Sequence, residues 1–245
     1  MNNTDPHSSL ERLYPDDPSI NEKIAGSDTL QLHLERYHYA GQHLAPGLIA
    51  DIACGAGYGS HLLATEYGNK IGQIIAVDNN AEAIAYANDH YKHPRINFQL
   101  ADALSFISPT PFDTIISLET IEHLDEPGQF VQHLTNQLKP GGRFIASAPV
   151  TPSMDANPFH KQDFTIASFK KLFVDEGMKE VSSFMQTQSY HPFKLVNKKT
   201  KRERSLRKNI LGYYVTHPSK FFLRVRSLFK DGFANKYLIV VFEKP

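Results

Sequence analysis

The run LIADIACGAGYGS, residues 48–60, leaves this chain little freedom in how it folds locally. Leu48, Ile49 and Ala50 read as a short buried strand with Asp51 at its end, and Gly55, Gly57 and Gly59 follow at alternate positions. Glycine suits a backbone that turns sharply and lies against a ligand with no Cβ in the way. The local fold is therefore strand, tight turn, helix, with the Asp51 carboxylate held over the turn. A loop that cradles a dinucleotide pyrophosphate requires G-x-G-x-x-G before a helix N-terminus, and here the third glycine comes one residue early. A carboxylate also suits a ligand that carries an amino group and hydroxyls better than it suits a phosphate.

The rest of the chain repeats this alternation. Leu30, Leu34 and Tyr37 have helical spacing, so a helix precedes the first strand at about 48–52. Further strands are expected at Ile71–Val77, Ile96–Leu100, Asp113–Leu118, Arg143–Pro149, Val181–Thr187 and Tyr237–Phe242. Between them lie a helix with Ile84, Ala87 and Tyr91 on one face, and a helix through Phe130, Val131, Leu134 and Leu138 that Pro140-Gly141-Gly142 stops. A third, capped by Thr165, buries Ile166, Phe169 and Phe173. Such alternation specifies an α/β fold, a doubly wound and mainly parallel seven-stranded sheet with helices on both faces. Its ligands bind outside the carboxyl ends of the strands. Asp51, Asp78, Asp102 and the segment Ser117–His123 are all expected on that edge.

At 245 residues the chain accommodates one such domain plus an insertion. The expected divisions are an N-terminal arm or lid at 1–29, a core at 30–190, a basic insertion at 191–235, and the last strand at 236–245. Lys plus Arg and Asp plus Glu are both 26, so no global field draws the chain to nucleic acid or membrane. The single cysteine, Cys54, rules out an intrachain disulfide, and no signal-peptide core or apolar span of membrane length is seen. A cytoplasmic protein is expected. Within the insertion, Lys194–Lys208 holds eight basic residues and one acid, Glu203. Phe221, Phe222, Val225, Leu228 and Phe229 then share a helical face flanked by Lys220, Arg224, Arg226 and Lys230. Such a helix lies on a membrane or grips an acidic partner. Alternatively, its apolar face packs on the domain or on a second copy in a homodimer.

With Asp51 so placed, the glycine run resembles motif I of the class I S-adenosylmethionine-dependent methyltransferases. The ERLYP, HLERYHYA, ETIEH and NPFHKQDFT segments extend the likeness to the ubiquinone-biosynthesis-like methyltransferases and to bacterial enzymes of polysaccharide and sugar pathways. The resemblance implies a Rossmann-like methyltransferase fold, S-adenosylmethionine as cofactor and S-adenosylhomocysteine as product. It places Asp51 toward the methionine amino group, with Ala53, Gly55 and Gly57 along the ligand. Asp78, with Asn79, would take the ribose hydroxyls, and Asp102-Ala103 would take the adenine. Arg36-Tyr37, at the end of the preceding helix, and Ser117 complete the set. Each acid also has an ordinary reading as a helix or turn cap, and Arg36 as a surface residue.

The reaction site is expected in SLETIEHLDEP, residues 117–127, where Glu119, Glu122 and His123 share a face if a helical turn begins there. His160 approaches from a later loop. Two chemistries fit this cluster. In one, a histidine takes the acceptor's proton while the glutamates orient it. In the other, the two carboxylates and two imidazoles hold a divalent metal that acidifies an acceptor hydroxyl. The E-x-x-E-H spacing resembles the metal site of the methyltransferases that act on the terminal ribose 2′-hydroxyl of small RNAs. The plainer reading is an acidic helix start favoured by the macrodipole. The favoured function is methyl transfer to a small-molecule or glycan acceptor. An RNA 2′-O-methyltransferase is the first alternative, with zero net charge against nucleic acid as a partner. A S-adenosylmethionine sensor without turnover is the second. Contact with a membrane or a lipid-linked substrate through 194–230 stays open.

Overall fold

The computed structural model describes residues 27–189 and 209–245. Residues 1–26 of the expected 1–29 arm, with ERLYP at 11–15, and the basic stretch Lys194–Lys208 lie outside the described residues, while 27–29 already belong to the first described helix. The elements run α1 (Ser27–Gln42), β1 (Gly47–Ile52), α2 (Tyr58–Glu66), β2 (Ile71–Asp78), α3 (Ala81–His90), β3 (Ile96–Leu100) and β4 (Phe112–Leu118). A 3-10 turn (Ile121–His123) follows, then α4 (Pro127–Thr135), β5 (Leu138–Pro149), α5 (Ile166–Val174), β6 (Lys179–Ser189), α6 (Ile210–Thr216), α7 (Pro218–Asp231) and β7 (Ala234–Glu243). The seven strands form one sheet in the order β3-β2-β1-β4-β5-β7-β6. No described helix is long and apolar enough to cross a membrane.

Two compact units, Met1–Ile116 and Ser117–Pro245, make up the chain. In the first, β1 lies parallel to both β2 and β4, and β2 parallel to β3. Ile49, Ala50, Ile52, Ile74 and Val77 are fully buried, as strands covered on both faces require. Because these strands run parallel, the residues ending them share one edge: Asp51 is level with Ala76, and Asp78 with Leu100.

In the second unit, β7 is antiparallel to β5 on one side and to β6 on the other. Phe173 of α5 stacks on Phe242 of β7 at 4.3 Å and meets Phe144 of β5 edge-on at 5.1 Å. These rings, with Phe169, are fully buried, and aromatic pairs of this geometry add about 0.5–1.5 kcal/mol beyond their burial. Thr165 caps α5 through a reciprocal pair with Ser168, as expected. Ile166, however, is exposed, because Phe169 and Phe173 alone fill the core-facing side.

Pro140-Gly141-Gly142 does not stop a helix. The helix ends at Thr135, and Leu138 already belongs to β5. Gly141 N–H donates to Lys244 O, Lys244 N–H donates to Gly142 O, and Lys244 Nζ reaches Thr135 O and Leu138 O. The far end of the sequence thus pairs with this segment and draws it into the strand, which local turn chemistry does not reveal.

Candidate functional site

In the unit Met1–Ile116, the loop after β1 takes left-handed backbone at three alternate residues, Ala53 (φ 61°), Gly55 (φ 57°) and Gly57 (φ 87°). For Ala53 this costs about 1–2 kcal/mol, which the surrounding structure must offset. The glycines differ in what they face. A Cβ on Gly55 would meet no atom within 4 Å, so the loop is open there. A Cβ on Gly57 would lie 2.6 Å from Ala87 Cβ and 2.7 Å from the Phe98 ring, and one on Gly59 would strike the Tyr37 ring. Gly57 and Gly59 therefore serve close packing of α2, and Gly55 is the glycine that leaves room for a ligand.

Asp51 is buried, and its carboxylate accepts from Ser60 Oγ at 2.6 Å and from the Tyr37 hydroxyl at 3.2 Å. Burial pushes its pKa up to about 6, against the two hydrogen bonds, and the Asp78 charge adds to the rise. Asp78 is not a helix cap. That part falls to Asn80, whose Oδ1 accepts from Ala83 N. The Asp78 carboxylate instead accepts from Gly55 N–H and Asn80 N–H, both at 2.9 Å. It thereby fixes the glycine loop and keeps acceptor capacity for further donors. Asn79 is exposed beside it. Asp102 is exposed and forms a turn through Leu104 N–H, and Ala103 is half-buried.

Two expectations need correction here. Arg36 and Tyr37 lie inside α1, which continues to Gln42, not at its end. Arg36 is also buried, so it is no surface residue, and its charge acts on the Tyr58 hydroxyl. Tyr37 points its hydroxyl at Asp51 and its ring edge at Tyr58, 6.0 Å away, and so supports the carboxylate. Cys54 is buried, as a small filler should be.

In the unit Ser117–Pro245, Ser117 is fully buried and its hydroxyl has no hydrogen-bond partner among the described residues. Glu119 takes left-handed backbone (φ 52°) and exchanges hydrogen bonds with Ser147: Ser147 Oγ donates to Glu119 Oε1 at 2.7 Å and accepts from Glu119 N–H. The expected shared helical face of Glu119, Glu122 and His123 therefore does not form. The 3-10 turn begins only at Ile121, and Glu119 is turned to β5.

Glu122, His123 and His160 do converge, with one ligand-capable atom of each within 4.8 Å of the others. The two imidazoles meet edge to face at 4.7 Å. Lys161 and Gln162 N–H both donate to Glu122 O, which clamps the His160 loop onto the turn. His123 Nδ1 lies 3.3 Å from Phe159 O. A carbonyl only accepts, so Nδ1 carries a proton, and the lone pair of the neutral ring is at Nε2. His160 Nδ1 pairs with Ser153 Oγ at 2.7 Å. Burial, and secondarily the neighbouring His123, lower the His160 pKa to about 3, against a pull from Asp163, so this ring stays neutral.

Two acids that the sequence left unremarked, Asp155 and Asp163, hold this loop with the cations of α7. Asp163 Oδ1 accepts from Ser153 and Met154 N–H, and its Oδ2 from Lys220 Nζ at 2.7 Å. Arg224 binds the Asp155 carboxylate through two nitrogens and also reaches Pro152 O. Burial opposes ionisation of Asp155, yet hydrogen bonds from Arg224 and Tyr214 hold its pKa below the ordinary value. Ser60 alone had a sequence signal, as a polar residue in line with the buried Leu63 and Ala64 of α2. The loop's acids, Asp155 and Asp163, follow no periodic pattern.

Comparison with known proteins agrees with this geometry. The sequence pattern of the "Methyltransferase domain" family matches residues 48–209. A protein of Mycobacterium tuberculosis (strain H37Rv) described as a probable S-adenosylmethionine-dependent methyltransferase is 29% identical over 158 residues, 60% of this chain and 56% of its own. The ubiquinone biosynthesis O-methyltransferase of Nitrobacter winogradskyi is 34% identical over 101 residues, 40% of this chain and 37% of its own. The chain thus spans 56% and 37% of the length of these two curated relatives. Among solved structures, the N-methyltransferase NodS of Bradyrhizobium japonicum in complex with S-adenosyl-L-homocysteine superposes with a TM-score of 0.59. The match covers 98% of each chain at 16% identity, and so bears on the fold.

Proposed function

Because this chain belongs to the class I S-adenosylmethionine-dependent methyltransferases, we propose that it methylates an oxygen or nitrogen of a small-molecule or glycan acceptor. S-adenosylmethionine supplies, when bound, an electrophilic methyl on a sulfonium. The acceptors on this chain fit that ligand: a buried carboxylate at Asp51 for an ammonium, a second at Asp78 for ribose hydroxyls, and a loop open at Gly55. Asp102-Ala103 takes the adenine edge. The O- and N-methyltransferases among the relatives and fold neighbours favour those acceptor atoms.

The observation that carries this reading past cofactor binding, and against a sensor without turnover, is the convergence of Glu122, His123 and His160. His123 Nε2, with its lone pair fixed by the Phe159 carbonyl, takes the acceptor's proton, while Glu122 and neutral His160 orient the acceptor. A second reading of the same three residues, favoured by their 4.8 Å grouping, is a divalent cation that binds the acceptor hydroxyl. Incubation with methyl-labelled S-adenosylmethionine and a panel of sugars, nucleotide sugars, lipid-linked glycans and RNA tests the proposal. Label in a glycan or small molecule is expected. Label confined to RNA would replace the acceptor class, and cofactor binding without transfer to any acceptor would favour the sensor.

Asp78→Ala should weaken S-adenosylmethionine binding by about 1.5–3 kcal/mol, because the lost bonds involve a charged group. Calorimetry on the folded variant checks this, and unchanged affinity would take the ribose away from β2. Asp51 gives a pH dependence. Its raised pKa means that the ionised form is disfavoured in the free fold, so stability should fall as pH rises from about 4 to about 6. Cofactor affinity should move the other way. An ammonium selects the carboxylate, so affinity should drop up to about tenfold per pH unit below 6, and binding near pH 6 should release a proton. Calorimetry in buffers of different ionisation heat measures that proton, and Asp51→Asn should abolish its release.

A further inference from the structure

Helix α7 is inverted. Lys220, Arg224, Ser227 and Asp231, spaced four, three and four residues apart, point inward: Lys220 to Asp163, Arg224 to Asp155, and Asp231 to Ser227 and Lys236. The opposite stripe is apolar and faces water. Phe222 is 68% exposed and Phe229 90%, with Arg226 between them at helical spacing and Lys230 next to Phe229. The sequence alone leaves open whether the phenylalanines pack on the domain or a second copy, with the cations in solvent, or face a membrane or an acidic partner. The buried carboxylate of Asp155 and the largely buried one of Asp163 decide the orientation, because each takes its cation from the inward stripe of α7.

We propose that this outer face of α7 binds the surface of an anionic lipid bilayer, with the phenylalanines among the acyl chains and Arg226 and Lys230 at the headgroups. A helix lying in a membrane interface buries its phenylalanines, while neighbouring Lys and Arg reach out to the headgroups. Between Asn209 and Phe233 the only acid is Asp231, and it is already paired on the inner side. Lys220 and Arg224 are neutralised by their carboxylates, so the charge left facing outward is positive. A second copy docked through the same face would set these cations against their own counterparts, as a two-fold interface brings like surfaces together. An anionic bilayer has no such conflict. This inference does not depend on methyl transfer, because vesicle binding needs neither cofactor nor acceptor.

The test is co-sedimentation of the full chain with vesicles of phosphatidylcholine alone or with 30% phosphatidylglycerol, at low and high salt. Binding is expected with the anionic vesicles and should weaken with salt. Each basic residue near such a surface is worth about five-fold, so Arg226→Glu/Lys230→Glu should reduce partitioning at least ~25-fold. Phe222→Ser/Phe229→Ser should reduce it ~10-fold or more, since the anchoring scales with apolar area. Both variants should melt like the parent. Failure of the parent to sediment with anionic vesicles at low salt would overturn the proposal, as would undiminished binding by either variant. So would a dimer in light scattering that the phenylalanine variant converts to monomer, which would make the face a self-interface.

Discussion

His123→Ala should lower methyl transfer to the true acceptor by about 10²–10⁴-fold, with S-adenosylmethionine affinity within a few-fold of the parent. The separation follows from where the groups lie. The carboxylates assigned to the cofactor belong to the strand ends of one unit, whereas His123 belongs to a 3-10 turn of the other. Loss of the ring removes the lone pair that the Phe159 carbonyl fixes at Nε2. His160→Asn should cost less, since that ring positions the acceptor. A cation at the cluster predicts a different pattern. Glu122, His123 and His160 variants would then be about equally impaired, chelator would mimic them, and Glu119→Gln would be milder, because that carboxylate is occupied by Ser147. Full activity in chelator would leave the histidine base. Near-normal turnover in both histidine variants would remove the cluster from the chemistry.

Gly57→Val should leave little folded protein, and no S-adenosylmethionine binding in what remains. The left-handed backbone of Gly57 (φ 87°) disfavours a β-branched residue. The first added carbon also comes within 2.6 Å of Ala87 Cβ and 2.7 Å of the Phe98 ring, both in the packed interior of the unit. Overpacking of this kind typically costs about 1–3 kcal/mol, and the backbone strain adds to it. Gly55→Ala is the informative contrast. It meets strain but no atoms, so it should fold with a modest loss of stability and still lose cofactor affinity. Thermal melts with and without cofactor separate the two. If Gly57→Val melts normally and binds cofactor, the loop is not packed as described.

Sequence spacing sufficed for the strand ends because the signals there are local. A buried parallel strand is an apolar run, and Asp51, Asp78 and Asp102 end or follow such runs. The glycines were legible as a tight turn, but not which of them faces a ligand, since that depends on Ala87 and Phe98 arriving from other elements. His123 and His160 were placed together correctly. Glu119 was not, because its orientation is set by Ser147 on a strand 28 residues away. Which of the readings open for α7 applies is hidden in sequence for the same reason: Asp155 and Asp163, which turn its basic stripe inward, lie more than fifty residues before their partners. Periodicity reports which residues share a face and cannot say which face finds a buried charge.

The antiparallel placement of β7 has a consequence for how the second unit comes into being. The strand is last in sequence of the seven, yet it sits between β5 and β6. Until Ala234–Glu243 leaves the ribosome, β6 has no neighbour to pair with, and the outer edge of β5 stays unpaired. Those pairings span long stretches of chain, so they raise the contact order and slow folding. Phe144, Phe169 and Phe173 wait on Phe242 in the meantime. A nascent chain of this kind carries an exposed strand edge and open aromatic surface until β7 emerges, which is the window in which chaperones would engage it.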